Sequence, residues 1–436
     1  MRNDIQSEAL SGTAQQPAPA SLFLHRDFMK LWTGETVSLF GSRIGSVAVT
    51  FAAVITLRAT PFQMGLLAAV GNLPALAFSL LAGAWVDRLS RRPIMIATDI
   101  GRSLVLVTIP IAALYGLLGM RQLYVVMLLS ALFELFFDVA YRAYLPTLVD
   151  REQLLDANSK LSASSAVAEF AGFSICGWLV QWLTAPFAIL IDAISFLPSA
   201  VAIAAIRTPE PTSTARRERA LSREIAEGLK LIWSDDRLRA IAVVETIGGL
   251  FFSLWNTLYM LFVVNSLGFK PAALGMIFAV GGISSLFGAL VARRSADAMG
   301  VVGAMILGLV VAGFAMMLLP IAHGSGALSI GLLVAQQLIG DGALTIYLIN
   351  SVSWIQVIAP HHLLGRVTAS LRFLNRSSTL VGQLVGGVAG GIIGLRPTMV
   401  IGAVGLWITA ALLRAARIDV APDVVPDIAV AKAVDQ

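Results

Sequence analysis

Long apolar runs recur along the whole chain, and nothing constrains its fold more. Crossing a hydrocarbon core of roughly 30 Å takes about 20 apolar residues in a helix. About twelve stretches qualify: 29–57, 63–86, 93–118, 122–144, 160–182, 185–206, 239–265, 272–292, 299–320, 327–358, 367–394 and 397–416. Breakers part them, among them Pro61, Arg91-Arg92-Pro93, Pro186, Lys270-Pro271, Pro360 and Arg396-Pro397. In lipid every backbone amide needs an internal partner, so the runs are predicted to be helices and the protein all-α and membrane-embedded.

Composition rules out the soluble alternative. The chain is 57% hydrophobic and 13% charged, against about 25% charged in an average soluble domain. The excess of lysine and arginine does not point to nucleic acid, because these residues fall in short clusters between the apolar runs. Cys176 is the only cysteine, and His25, His323, His361 and His362 lack metal-ligand spacing, so no metal site is expected. No phosphate loop, nucleophile elbow or triad pattern occurs, which argues against an enzyme and against any cofactor.

Residues 1–27 read as a flexible tail, without the apolar core and cleavage site of a secretory signal. Residues 28–206 and 239–416 form two six-span halves, and 417–436 a second tail. Between them, 207–238 begins rich in Pro, Ser and Thr. It then carries Ile225, Leu229, Ile232 and Trp233 at helical spacing opposite Glu224, Glu227 and Lys230, an amphipathic helix suited to a membrane surface. With both tails and this linker in the cytoplasm, only Arg58, Arg121, Lys270 and Arg396 fall in loops on the other side. That asymmetry predicts cytoplasmic termini.

The halves repeat. Shifted by 210 residues, Glu35-Thr36 falls on Glu245-Thr246, Pro61 on Pro271, Gly65 on Gly275, Gly71 on Gly281 and Asp87 on Asp297. A same-orientation repeat implies a pseudo-twofold axis along the membrane normal and a central site between the halves.

The sharpest motif is Gly83-Ala84-Trp85-Val86-Asp87-Arg88-Leu89-Ser90-Arg91-Arg92 after the second span. It resembles the G-x-x-x-D-R-x-x-R-R signature of the major facilitator superfamily. Asp99-x-x-Arg102, the stretches 144–149 and 155–158, Ile191-Asp192-Ala193-Ile194-Ser195-Phe196 and Gly365-Arg366-Val367 extend the likeness. They resemble its branch of bacterial macrolide, drug and siderophore exporters. The resemblance implies two pseudo-symmetric six-helix bundles around a central cavity in the bacterial inner membrane. It also implies a monomer that exports a hydrophobic or amphipathic small molecule by proton antiport and alternating access. Uptake, uniport, or a non-transporting regulator that kept the fold are the alternatives. In span five, Phe173 stands where antiporters of this superfamily often carry proline.

Charges within spans cost roughly 2.5–3.5 kcal/mol each on insertion scales and need partners or water. Asp99 with Arg102, and Asp138 with Arg142, are spaced for contact along one helix. By the family picture Asp138 pairs with Arg91 or Arg92; with Gly83, Asp87 and Arg88 these form the gating set. Glu35, Glu134, Glu169, Asp192, Glu245 and Asp341 lack a local partner. Glu35, Glu134, Glu245 and Asp341, with Asn256, are the cavity and proton-coupling candidates. Glu35 leads, because Ser38, Ser42 and Ser46 continue its face at helical spacing. Gln337, Asp341 and Thr345 form a similar stripe, and Phe252, Trp255 and Tyr259 could receive an apolar or cationic substrate. Gly382, Gly386, Gly390 and Gly394 read as a helix-packing stripe.

Overall fold

The computed structural model describes residues 22–86, 88–210, 221–360 and 362–416. Asp87, residues 1–21 and 417–436 of the tails and 211–220 of the linker lie outside them, whereas 22–27, expected as tail, form a short helical turn at Leu22–Leu24 and the start of the first long helix.

Each half opens alike. Helix α1 (Arg26–Phe51) runs into a π-turn at Ala52–Thr56, and α9 (Asp236–Leu261) into one at Phe262–Ser266. Next come α2 (Pro61–Ala77) and α10 (Pro271–Ile321), each with proline at its first turn, where no intrahelical N–H is lost. Thr60 and Gln63 form a capping box on α2. Helix α3 (Ser79–Val86) completes the second crossing after a break at Phe78. The first bundle continues with α4 (Arg91–Leu114), α5 (Met120–Leu148), α6 (Leu154–Leu183) and α7 (Ala185–Ala204). After the linker helix α8 (Leu221–Ser234), α9 and α10 lead to α11 (Ala327–Ile358), α12 (Leu364–Ile392) and α13 (Leu395–Ala415). Among the described residues nine helices are long and apolar enough to cross by themselves. The other crossings are the α2–α3 pair, the second length of α10, and α12, whose glycines and arginines dilute its hydropathy. This gives six crossings per bundle.

A loop was expected at 293–298. The chain instead stays helical through Arg293 and Asp297, which approach at 3.9 Å, and breaks at Gly300, whose φ of 77° favours glycine. The signature turn of the first half thus corresponds in the second to helix as far as Met299, with the break at Gly300, the counterpart of Ser90 at the start of α4.

The bundles meet most closely on the face opposite the termini. Gly65 on α2 lies against Gly387 and the Gln383 carbonyl of α12, while Gly177 on α6 lies against Gly275 and the Pro271 carbonyl of α10. The 210-residue shift exchanges these two crossings. Asn72 Nδ2 donates to Gln383 Oε1, and Ala272 N to Gln181 Oε1, both at 3.2 Å. Phe173 packs on Phe278 across the same seam, with ring centres 5.4 Å apart. On the terminal face α5 and α6 stand apart from α11 and α12, and the space between the bundles opens there.

The linker helix docks more firmly than a surface helix would. Ile232 is fully buried, Glu227 Oε2 lies 2.9 Å from Arg366 Nη1 of α12, and Gly228 abuts Ser370 and the Arg366 carbonyl.

Candidate site in the central cavity

Between the bundles lies a cavity of about 1400 Å³ walled by α1, α2, α4–α7 and α9–α12. Helix α1 turns Glu35, Ser38, Ser42 and Ser46 into it, because residues three and four apart share a face.

In the first bundle the hub is Arg102 on α4. Its Nη2 donates to Ser42 Oγ and Glu134 Oε2, both at 3.4 Å, and its guanidinium sits 4.2 Å above the Phe196 ring. Asp99 and Asp192 are buried behind it. Both Asp99 oxygens lack a hydrogen bond, with Ser199 and Arg102 as polar neighbours. Asp192 reaches α1 because Gly41 and Gly45 have no side chains: a Cβ at Gly45 would overlap its carboxylate. Glu134 and Asp138 are exposed to the cavity. Glu35 Oε2 is buried without a partner and interacts electrostatically with Asp99, Asp138, Arg102 and Glu134. Glu169, which has no partner along its own helix, lies 3.3 Å from Arg43 of α1. Carboxylates outnumber guanidiniums in this cluster.

Gly83 has open space where a Cβ would stand. One reading of the signature region needs correction: Arg91 and Arg92 do not meet Asp138. Glu210, just past α7, accepts from Arg91 N at 2.7 Å and Arg92 N at 3.4 Å, and its Oε1 lies 3.4 Å from Arg91 Nη1. Arg92 Nε donates to the Ile203 carbonyl at 3.0 Å and Nη2 to that of Ala204. The start of α4 is an anion-seeking helix end, and the chain leaving α7 brings Glu210 to it. Asp138 keeps Arg142 as an electrostatic neighbour and faces the cavity. Asp87 lies outside the described residues.

The second bundle carries different chemistry. The shift that relates the halves puts Leu309, Ala312 and Gly402 at the places of Asp99, Arg102 and Asp192. Glu245, the counterpart of Glu35, is tied into the bundle: Tyr347 Oη donates to Oε1 at 2.8 Å and Ser351 Oγ at 2.6 Å, while Asn375 Nδ2 lies 3.5 Å from Oε2. Asp341, Asn256, Phe252, Trp255 and Tyr259 do line the cavity. Gly382, Gly386 and Gly390 pack against Leu250, Leu254 and Leu258 of α9, whereas Gly394 ends α12 at a φ of 93°. Arg102 as a hub and Asp192 as its neighbour escaped the sequence reading, although the Gly41/Gly45 pair on α1 was a visible signal.

Two pseudo-symmetric six-helix bundles around a largely apolar central cavity that holds a few charged side chains make a membrane transporter, not an enzyme. The family model of the Major Facilitator Superfamily matches residues 31–382, and the chain belongs to that superfamily. It is 26% identical over 354 residues to the multidrug efflux pump Tap of Mycolicibacterium fortuitum, covering 79% of this chain and 85% of Tap. It is 24% identical over 221 residues to macrolide efflux protein A of Streptococcus pyogenes, covering 50% and 54%. The fold is similar to that of the nucleoside transporter NupG, with a TM-score of 0.71 at 13% identity over 90% of this chain and 100% of that one. A bacterial homologue of the iron transporter ferroportin in its inward-facing state gives 0.72 at 13% identity over 90% and 99%.

Proposed function

We propose that the protein exports a hydrophobic or amphipathic small molecule, driven by proton influx, and that Glu35 carries the coupling proton. The carrying observation is the Glu35 carboxylate itself. It stands on the cavity wall with Oε2 buried and unbonded, among three further acids and one arginine. Relatives whose names state multidrug and macrolide efflux support export. With the termini in the cytoplasm, the open terminal face is the inward-open state. A proton taken up by the Glu35 cluster changes its charge beside Arg102. Substrate and proton then bias the two open states in opposite directions, which is what antiport requires. Arg91 and Arg92, which Glu210 straps to the linker, belong with Gly83, Asp87 and Arg88 to the hinge between states.

Glu35→Gln keeps size and hydrogen bonding but removes titration. In proteoliposomes it is expected to abolish substrate-driven proton movement while substrate exchange persists. Uphill accumulation by Glu35→Gln with wild-type pH dependence would remove Glu35 from this role.

A further inference from the structure

Across the cavity from Arg102, the second bundle presents one carboxylate and a wall of aromatic rings. Asp341 Oδ2 accepts from Gln337 Nε2 at 3.2 Å and fills the space that the missing side chain of Gly281 leaves. Among the described residues no lysine or arginine compensates it, in contrast to the acids around Arg102 and Arg43. Trp255 and Tyr259 pack at a tilt of 52° with centres 5.2 Å apart, and Tyr259 meets Phe278 at 5.6 Å. Three polar atoms in this wall are buried without a hydrogen bond: Trp255 Nε1, Tyr259 Oη and Gln336 Oε1. Their side chains belong to residues only 3%, 6% and 4% exposed, yet all three line the cavity. The repeat gives the first bundle none of this. Ala131, Gly45, Val49 and Val126 stand at the places of Asp341, Trp255, Tyr259 and Gln336.

We infer that this wall recognises an organic cation, a protonated amine or quaternary centre held between Asp341 and the aromatic faces, on an apolar body bearing a hydroxyl or carbonyl group. The inference rests on the cavity being a transport site, as proposed above, and names its cargo. A carboxylate facing a low-dielectric cavity without a counter-charge gains most from a ligand that brings one. Trp and Tyr faces attract the same cation through their quadrupoles. The unpaired indole N–H and phenol can donate to a ligand oxygen, and the Gln336 oxygen can accept from a ligand hydroxyl, which would satisfy groups that otherwise stay buried without a partner. The opposite wall is a poor site for an anion, because Arg102 and Arg43 are already engaged by Glu134 and Glu169. Proton and cargo thus use separate carboxylates on separate bundles.

Binding to purified protein in nanodiscs, at fixed pH and without gradients, tests this. Ethidium serves as the cationic probe and Nile red as the neutral one. Saturable ethidium binding is expected for the wild type. Asp341→Asn is expected to weaken it by about thirtyfold or more, the effect of removing one partner of a desolvated charge pair, with Nile red binding retained. Asp341→Glu keeps the charge and is expected to retain ethidium. If Asp341→Asn does not fold, Trp255→Leu replaces it, and a selective loss of ethidium over Nile red supports the site. Absence of saturable ethidium binding by the wild type overturns the inference, as does wild-type affinity in the Asn variant or equal loss of both probes in Trp255→Leu. No gradient is present, so failure of proton coupling leaves this result untouched. A coupled transporter of neutral molecules would pass the proteoliposome test and fail here.

Discussion

Gly45 shows how a single missing side chain positions charge. It lets the Asp192 carboxylate of α7 reach the surface of α1, beside Ser42 and within the field of Arg102. Gly45→Ala would drive a methyl group into that carboxylate, and overpacking of this kind costs about 1–3 kcal/mol. Its expected signature is a lower melting temperature in detergent, with Gly45→Ala/Asp192→Ala more stable than the sum of the two single changes. Strict additivity would separate the two residues. At this scale the sequence was readable where function follows local periodicity, as in the Glu35, Ser38, Ser42 and Ser46 stripe. It was opaque where partners come from distant helices. Nothing local assigns Glu134 of α5 to Arg102 of α4, or Glu169 of α6 to Arg43 of α1, since which helices adjoin is a tertiary fact. Glu245 shows the converse: a repeat conserves a residue's place in the helix, while its new neighbours Tyr347 and Ser351 decide what it does.

Among the elements, the linker deviates most from its sequence reading. Helix α8 spans the stretch with amphipathic periodicity, yet that periodicity could not reveal that both ends of the linker are pinned. Asp27 Oδ2 accepts from Arg207 N at 3.1 Å and Thr208 N at 3.0 Å, Glu210 holds the first turn of α4, and Glu227 holds α12. The first two fix the linker to one bundle and the third to the other, so relative motion of the bundles must be accommodated between them. Charge-assisted hydrogen bonds to partly buried groups are worth about 1.5–3 kcal/mol. A double-mutant cycle on unfolding in detergent is therefore expected to show coupling of about 1 kcal/mol between Arg91→Ala and Glu210→Ala. Arg91→Ala and Asp138→Ala are expected to add independently. The reverse pattern would restore the Asp138 pairing. The extended helix through Arg293–Asp297 has a similar lesson: charged residues suggested a loop, but only Gly300 has the backbone freedom to end the helix.

For the whole molecule, topology and conformational state are separate questions with separate tests. Lysine and arginine asymmetry motivates cytoplasmic termini. Cysteines replacing the exposed residues Ser234 and Ser325, in a Cys176→Ala background, are expected to be labelled by an impermeant maleimide from inside and outside the cell, respectively. Labelling of position 234 from outside would invert the molecule.

The conformational state rests on the two glycine crossings that close the face opposite the termini. Gly65 and Gly177 approach backbone atoms of the partner bundle so closely that any Cβ would collide with a carbonyl, and backbone gives way less easily than side chains. The two crossings are exchanged by the repeat, so one substitution in each wedges the seam symmetrically and leaves the interior of each bundle intact. The cavity must then open on that face and, if the bundles rock as rigid bodies, narrow on the terminal face. The shift needs only modest energy, since about 5.5 kcal/mol takes a two-state equilibrium from 1:99 to 99:1. Cysteine at Asn256, which lines the cavity, reports the outcome in the Cys176→Ala background. In Gly65→Val/Gly177→Val its labelling is expected to rise from the face opposite the termini and fall from the terminal face. A rise on one face without a fall on the other would mean that the seam leaks rather than that the bundles rock, and unchanged labelling on both would show that the glycine crossings do not hold the face closed.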